Sequence, residues 1–132
     1  MKQAVPDSGL YAITDTGLSG DIAVDVAVEA AILGGARMIQ YREKQLRGAS
    51  QEATATRLAA VCRHHGIPLI INDDIGLAAR CGASGVHLGR DDSPLQAARE
   101  QLGDEAIIGI SCYDSLARAT EAVAAGADYV AF

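Results

Sequence analysis

The chain has 132 residues, of which 49% are apolar and 4% aromatic, and its 11 Lys+Arg against 17 Asp+Glu leave a formal net charge of −6. That length supports a single domain (residues 1–132) with a real core. The acidic balance argues against nucleic acid or an anionic membrane as a partner, because both require a dense positive field. No apolar run approaches the ~20 residues that span a bilayer, and the first residues, Met1-Lys2-Gln3-Ala4-Val5-Pro6-Asp7, are too polar for a signal-peptide core. Cys62, Cys81 and Cys112 have no metal-ligand spacing and an odd count, which reads as reduced thiols in a cytoplasmic protein.

Short Val/Ile/Leu-rich runs alternate with longer Ala-rich segments of helical period. In chain order the pattern predicts a strand over 10–14, a helix over 21–33 closed by Gly34-Gly35, and a strand over 38–42. A helix over 50–65 stopped by Gly66, a strand over 69–72, a short helix over 75–81 and a strand over 85–88 follow. Ser93-Pro94-Leu95-Gln96 predicts a helix start with Ser93 as N-cap, Pro94 at the first helical position and Gln96 placed for a capping box. That helix runs to Leu102, then come a strand over 107–111, a helix over 115–125 and a sixth strand over 128–132. Three junctions resemble one another, with Gly35, Gly82 and Gly126 each expected as a helix C-cap before Ala and a hydrophobic strand.

A repeated β-then-α unit implies an all-parallel sheet covered by helices. Two architectures are compatible with it. A doubly wound sheet would fit the length, but no G-x-G-x-x-G turn follows the first strand, and Gly17-Leu18-Ser19-Gly20 is too irregular to serve. A (β/α)8 barrel usually takes ~250 residues, so on that reading the chain holds the N-terminal part of a barrel and stops in its sixth strand.

Polar residues gather where the strands end, the place at which both parallel folds build their sites. Gln40, Arg42 and Lys44 share one face of an extended strand, with Tyr41 and Glu43 on the other. An amide and two cations suit a ligand rich in phosphate oxygens, although solvated charges at a strand end would look the same. Asn72-Asp73-Asp74 ends the third strand, and Asp74 there has the position of a helix cap. Asp91-Asp92 repeats the pattern after the fourth strand, either as a partner for Mg²⁺ bound with a diphosphate or as an acidic pair leading the next helix. His87 reads equally as a satisfied interior histidine or a site residue. His64 and His65 belong to a helix C-terminus, Ser111 could donate to a phosphate or a ring nitrogen, and Cys112 is structural.

Taken together, Tyr11-Ala12-Ile13-Thr14-Asp15, Gln40-Tyr41-Arg42-Glu43-Lys44, Ile71-Asn72-Asp73-Asp74, Gly85-Val86-His87-Leu88-Gly89, Gly109-Ile110-Ser111 and Gly126-Ala127-Asp128-Tyr129-Val130 resemble the thiamine-phosphate synthase (thiamine-phosphate pyrophosphorylase) family. The resemblance implies a (β/α)8 barrel and a transferase of thiamine biosynthesis. Such an enzyme joins 4-amino-2-methyl-5-hydroxymethylpyrimidine diphosphate to thiazole phosphate, giving thiamine phosphate and pyrophosphate. It implies substrate contacts from the stretch Gln40, Tyr41, Arg42, Glu43 and Lys44, with Asn72, His87 and Ser111, and it makes Arg42, Lys44 and Ser111 the catalytic candidates. Asp73 and Asp92 would bind Mg²⁺.

The same resemblance implies that the thiazole-phosphate contacts lie beyond residue 132. A thiazole tautomerase-like paralogue is the nearest alternative. A non-catalytic partial barrel that binds a ligand or another chain is the alternative of a different class, and open strand edges make homo-oligomerisation its expectation.

Overall fold

The computed structural model describes residues 3–17 and 20–132, so Leu18 and Ser19 of the irregular glycine stretch lie outside the described residues. Strands and helices alternate from end to end: β1 (Leu10–Ile13), α1 (Val24–Leu33), β2 (Ala36–Tyr41), α2 (Gly48–His65), β3 (Leu69–Asn72), α3 (Ile75–Cys81), β4 (Gly85–Leu88), α4 (Leu95–Leu102), β5 (Ile107–Ser111), α5 (Leu116–Ala124) and β6 (Tyr129–Ala131). The strands form one parallel sheet in the order β1-β2-β3-β4-β5-β6. A doubly wound sheet reverses its order at a switch point. This sheet never does, and the barrel reading is the correct one.

The curl of the sheet follows from its two edges. In a flat sheet five interstrand spacings would hold β1 and β6 about 24 Å apart. Instead the hydroxyls of Tyr11 on β1 and Tyr129 on β6 meet at 2.7 Å, with the rings edge to face at 5.7 Å. The strands therefore wrap around an inner face.

Alternation along each strand divides the core in two. Ile39, Tyr41, Leu69, Ile71, Val86, Leu88, Ile108 and Ile110 point outward into the helix layer, where Leu58, Cys62, Leu77, Ala98 and Ala119 cover them. Met38, Ile70 and Ile107 point inward and pack with Val5, Tyr11 and Tyr129. Nearly continuous apolar runs such as Leu69-Ile70-Ile71 are what a strand buried on both faces requires.

Several local expectations shift. Pro94, with ψ 154°, is the N-cap of α4, and no side chain caps that helix. Its carbonyl accepts the first bonds, from the amides of Ala97 and Ala98, so Ser93 lies one residue too early to cap. Asp74 does cap α3, its Oδ1 accepting from the Leu77 amide at 2.8 Å, and Ser115 caps α5 in the same way. Of the three junction glycines only Gly82 is itself the C-cap, because Gly34 and Ala125 hold that position on α1 and α5. All three cysteines are free and buried, and among the described residues no helix is long and apolar enough to cross a membrane.

Candidate active site at the C-terminal ends of the strands

A cavity of about 220 Å³ opens where β2, β3, β4 and β5 end, lined by Arg42, Lys44, Asn72, Asp73, His87, Asp92 and Ser111 among others. Eight of the residues singled out from the sequence, Asp91 included, are thus brought together. The strand ends supply Asn72, His87 and Ser111, and the loops just beyond supply the charges.

β2 itself stops at Tyr41, so Arg42 and Lys44 reach the cavity from the loop rather than from an extended strand. Thr14 holds the start of that loop by accepting from the Arg42 amide at 3.0 Å. Glu43 then turns the chain: its buried Oε1 accepts from the amides of Gln45 at 2.7 Å and Leu46 at 3.1 Å. Glu43 is therefore a loop-shaping residue. Tyr41 is 1% exposed and belongs to the outer core beneath the helices, where burial pushes its phenol up to about 12. Neither Tyr41 nor Glu43 lines the cavity, because alternation sends Tyr41 into the outer core and the Gln45 and Leu46 amides engage Glu43. Gln40 is on the inner face but one layer below the cavity, 3% exposed, its Nε2 donating to Tyr11 Oη at 2.9 Å.

The charged rim is already internally compensated. Lys44 Nζ lies 2.7 Å from Asp73 Oδ2, and Asn72 Nδ2 donates to the same oxygen at 3.2 Å. Asp73 has φ +58°, a left-handed conformation that Asp tolerates better than most residues, and its amide donates to the His87 carbonyl at 2.8 Å. Asp92 folds its own loop, with Oδ2 accepting from the Gly89 amide. It does not lead α4, which begins three residues later. A Cβ at Gly89 would lie 3.1 Å from the Tyr113 hydroxyl and 3.2 Å from Asp92 Oδ2, so the loop packs closely here.

Asp73 and Asp92 contribute hard oxygen donors to one cavity, which suits Mg²⁺ in particular. That ion takes one or two carboxylates and completes its shell with water and phosphate oxygens. Among the described residues no group of three or more His, Cys, Asp or Glu side chains is placed to hold a metal.

Beneath the charges runs a line of hydrogen bonds that joins five strands. From Gln40 it passes to Tyr11, from Tyr11 Oη to Tyr129 Oη at 2.7 Å, from Tyr129 Oη to His87 Nδ1 at 2.8 Å, and from His87 Nε2 to Ser111 Oγ at 2.7 Å. Burial lowers the His87 pKa, opposed in part by the negative charge of Asp92, and burial raises those of Tyr11 and Tyr129. Burial thus disfavours the charged form of each.

Sequence reading missed Tyr11 and Tyr129, which look like ordinary strand aromatics. It also missed Arg90 and Tyr113 on the cavity wall, where the guanidinium lies 4.5 Å from the ring centroid and the Arg90 amide donates to Tyr113 Oη at 3.1 Å. One signal was present: Gly109, in the middle of an apolar strand, marks a close approach. A Cβ there would fall 2.0 Å from Tyr129 Cζ.

Comparison with known proteins bears on the family and the fold. Residues 10–132 match the family model described as thiamine monophosphate synthase. The thiamine-phosphate synthase of Methylococcus capsulatus is 56% identical over 127 residues, covering 96% of this chain and 56% of that protein. That of Marinobacter nauticus is 52% identical over 124 residues, covering 94% and 56%. Among solved structures, thiamine phosphate pyrophosphorylase from Pyrococcus furiosus superposes with a TM-score of 0.82 at 34% identity, covering 91% of this chain and 57% of that one. The chain spans somewhat over half the length of the relatives it matches.

Proposed function

The chain belongs to the thiamine monophosphate synthase family, and on that premise we propose that it forms the pyrimidine-diphosphate side of a thiamine-phosphate synthase site. The reaction is the displacement of pyrophosphate from 4-amino-2-methyl-5-hydroxymethylpyrimidine diphosphate by the ring nitrogen of thiazole phosphate. The observation that carries the proposal is the convergence of Arg42, Lys44, Asn72, Asp73 and Asp92 on one cavity above the strand ends.

The demanding step is departure of a highly charged diphosphate from a benzylic-type carbon. The aminopyrimidine delocalises the positive charge left on that carbon, and the thiazole nitrogen is nucleophilic without a base. What the protein must supply is positive charge aimed at the leaving group. Arg42 offers a bidentate fork and Lys44 a point charge. In the ligand-free arrangement Lys44 neutralises Asp73 at 2.7 Å. An incoming diphosphate gives Lys44 a more highly charged partner and releases Asp73. Asp73 and Asp92 would then hold Mg²⁺ against the diphosphate, where the ion would add Lewis-acid stabilisation of the leaving oxygens.

A tautomerase has no diphosphate to hold and leaves the paired cations without a task. Three buried free thiols suit a reducing cytoplasm as the place of action.

The test is direct. The protein, titrated with the pyrimidine diphosphate in the presence of Mg²⁺, should bind it, and Lys44→Ala should abolish that binding. Absence of binding at saturating Mg²⁺ would overturn the proposal.

A further inference from the structure

The hydrogen-bond line below the cavity has a direction, and the direction can be read from one end. The Gln40 amide nitrogen has only protons to give, so Tyr11 Oη accepts from it. Tyr11 Oη has Tyr129 Oη as its other partner, and its proton turns there because any other direction would leave a buried hydroxyl proton without an acceptor. Tyr129, having accepted, donates its own proton to His87 Nδ1. A neutral imidazole that accepts at Nδ1 carries its proton on Nε2, and that proton goes to Ser111 Oγ. The hydroxyl proton of Ser111 is left over, on a side chain that lines the cavity.

The reach of Tyr129 depends on a gap in the sheet. His87, Gly109 and Tyr129 are in register across β4, β5 and β6. Because Gly109 has no side chain, the Tyr129 ring crosses over it and comes to rest 5.5 Å from the His87 ring. Two residues on strands that do not neighbour each other are thereby hydrogen-bonded.

We propose that Tyr11 and Tyr129 are positioning residues that fix His87 as its Nε2-protonated form and so hold Ser111 as a hydrogen-bond donor to the bound ligand. A site of this polarity selects a ligand atom with a free lone pair, such as an unprotonated ring nitrogen, and disfavours an N–H group in the same place. It also leaves the Ser111 oxygen engaged as an acceptor from His87, which sets the residue up for recognition and not for attack. The ligand assignment rests on the pyrimidine-diphosphate reading given above, while the proton direction does not.

The experiment is ¹⁵N NMR of the imidazole nitrogens of the ligand-free protein, with the His87 signals identified by their loss in His87→Gln. Expected are a protonated Nε2 and an unprotonated Nδ1. Tyr129→Phe, which keeps the ring, should shift the two nitrogens toward a mixture of the two neutral forms. A proton on Nδ1 in the unmodified protein, or His87 signals that Tyr129→Phe leaves in place, would overturn the proposal.

A binding readout separates positioning from damage. Tyr129→Phe should weaken the pyrimidine diphosphate by about three- to tenfold, the worth of one hydrogen bond, and leave the affinity for inorganic pyrophosphate unchanged. Tyr11→Phe should act in the same direction. Added to Ser111→Ala, Tyr129→Phe should have little further effect, since the two act on one interaction. An equal loss for both ligands would mark general disruption and overturn the proposal. A protonated Nε2 in a protein that fails to bind the pyrimidine compound would uphold the proton direction and overturn the proposed function instead.

Discussion

Gly109→Ala isolates the contact on which the inner layer depends. An ideal Cβ at this position would lie 2.0 Å from Tyr129 Cζ, 2.3 Å from Cε1 and 2.4 Å from Oη. Carbon atoms in contact sit ~3.5–4.0 Å apart, so the ring must retreat by about 1.5 Å or β6 must move with it. Overpacking of this kind costs about 1–3 kcal/mol. The retreat also breaks the bonds of Tyr129 to Tyr11 and to His87, at about 1 kcal/mol each. The lower backbone entropy of Ala returns up to about 1 kcal/mol. The expected net loss is about 2–4 kcal/mol, measured as a fall in the urea midpoint at unchanged m-value. The control is Tyr129→Ala, which removes the ring. In that background Gly109→Ala should cost close to nothing or add stability. A Gly109→Ala protein as stable as the parent, or one whose loss persists without the Tyr129 ring, would show that the ring does not depend on the gap at Gly109.

Three further outcomes follow from the same geometry. Arg99 bonds the carbonyls of Ala106 and Gly126 at 2.7 and 2.9 Å and Asp128 at 3.0 Å, tying β6 to the lower end of β5 from a half-buried position. Arg99→Ala should therefore cost about 2–4 kcal/mol in urea unfolding. The ion pair of Lys44 with Asp73 is exposed, so Lys44→Ala should change stability by less than about 1 kcal/mol while removing diphosphate binding in a calorimetric titration. Burial raises the Cys62 thiol to about 11. Below that pH the folded protein holds it as the unreactive thiol, so alkylation at pH 8 should be slow until urea exposes the site and returns its pKa to the ordinary range.

Much of this fold was legible because period and punctuation agreed. The strands over 69–72 and 85–88 and the helix over 75–81 have the bounds that their apolar runs and flanking glycines indicate. The charged half of the site was legible for a simple reason: Arg42, Lys44, Asp73 and Asp92 follow strands, and a parallel fold brings all such ends to one side. The uncharged half was not. Tyr11 and Tyr129 stand 118 residues apart, and only the curl of the sheet makes them partners. Tyr41 and Glu43 show the converse limit, since each adjoins Arg42 in the chain and yet neither lines the cavity. The α4 start failed on local chemistry, because extended backbone at Pro94 let its carbonyl, rather than the Ser93 side chain, begin the helix.

The cavity above β2–β5 is proposed to seat a diphosphate together with Mg²⁺, using Lys44, Asp73 and Asp92. The most direct test of this is a calorimetric titration of the pyrimidine diphosphate into the protein with and without Mg²⁺, repeated with Asp73→Ala and Asp92→Ala. Binding should require Mg²⁺ and should be lost or severely weakened in both variants. Binding of equal strength without Mg²⁺, or undiminished in the two variants, would contradict it.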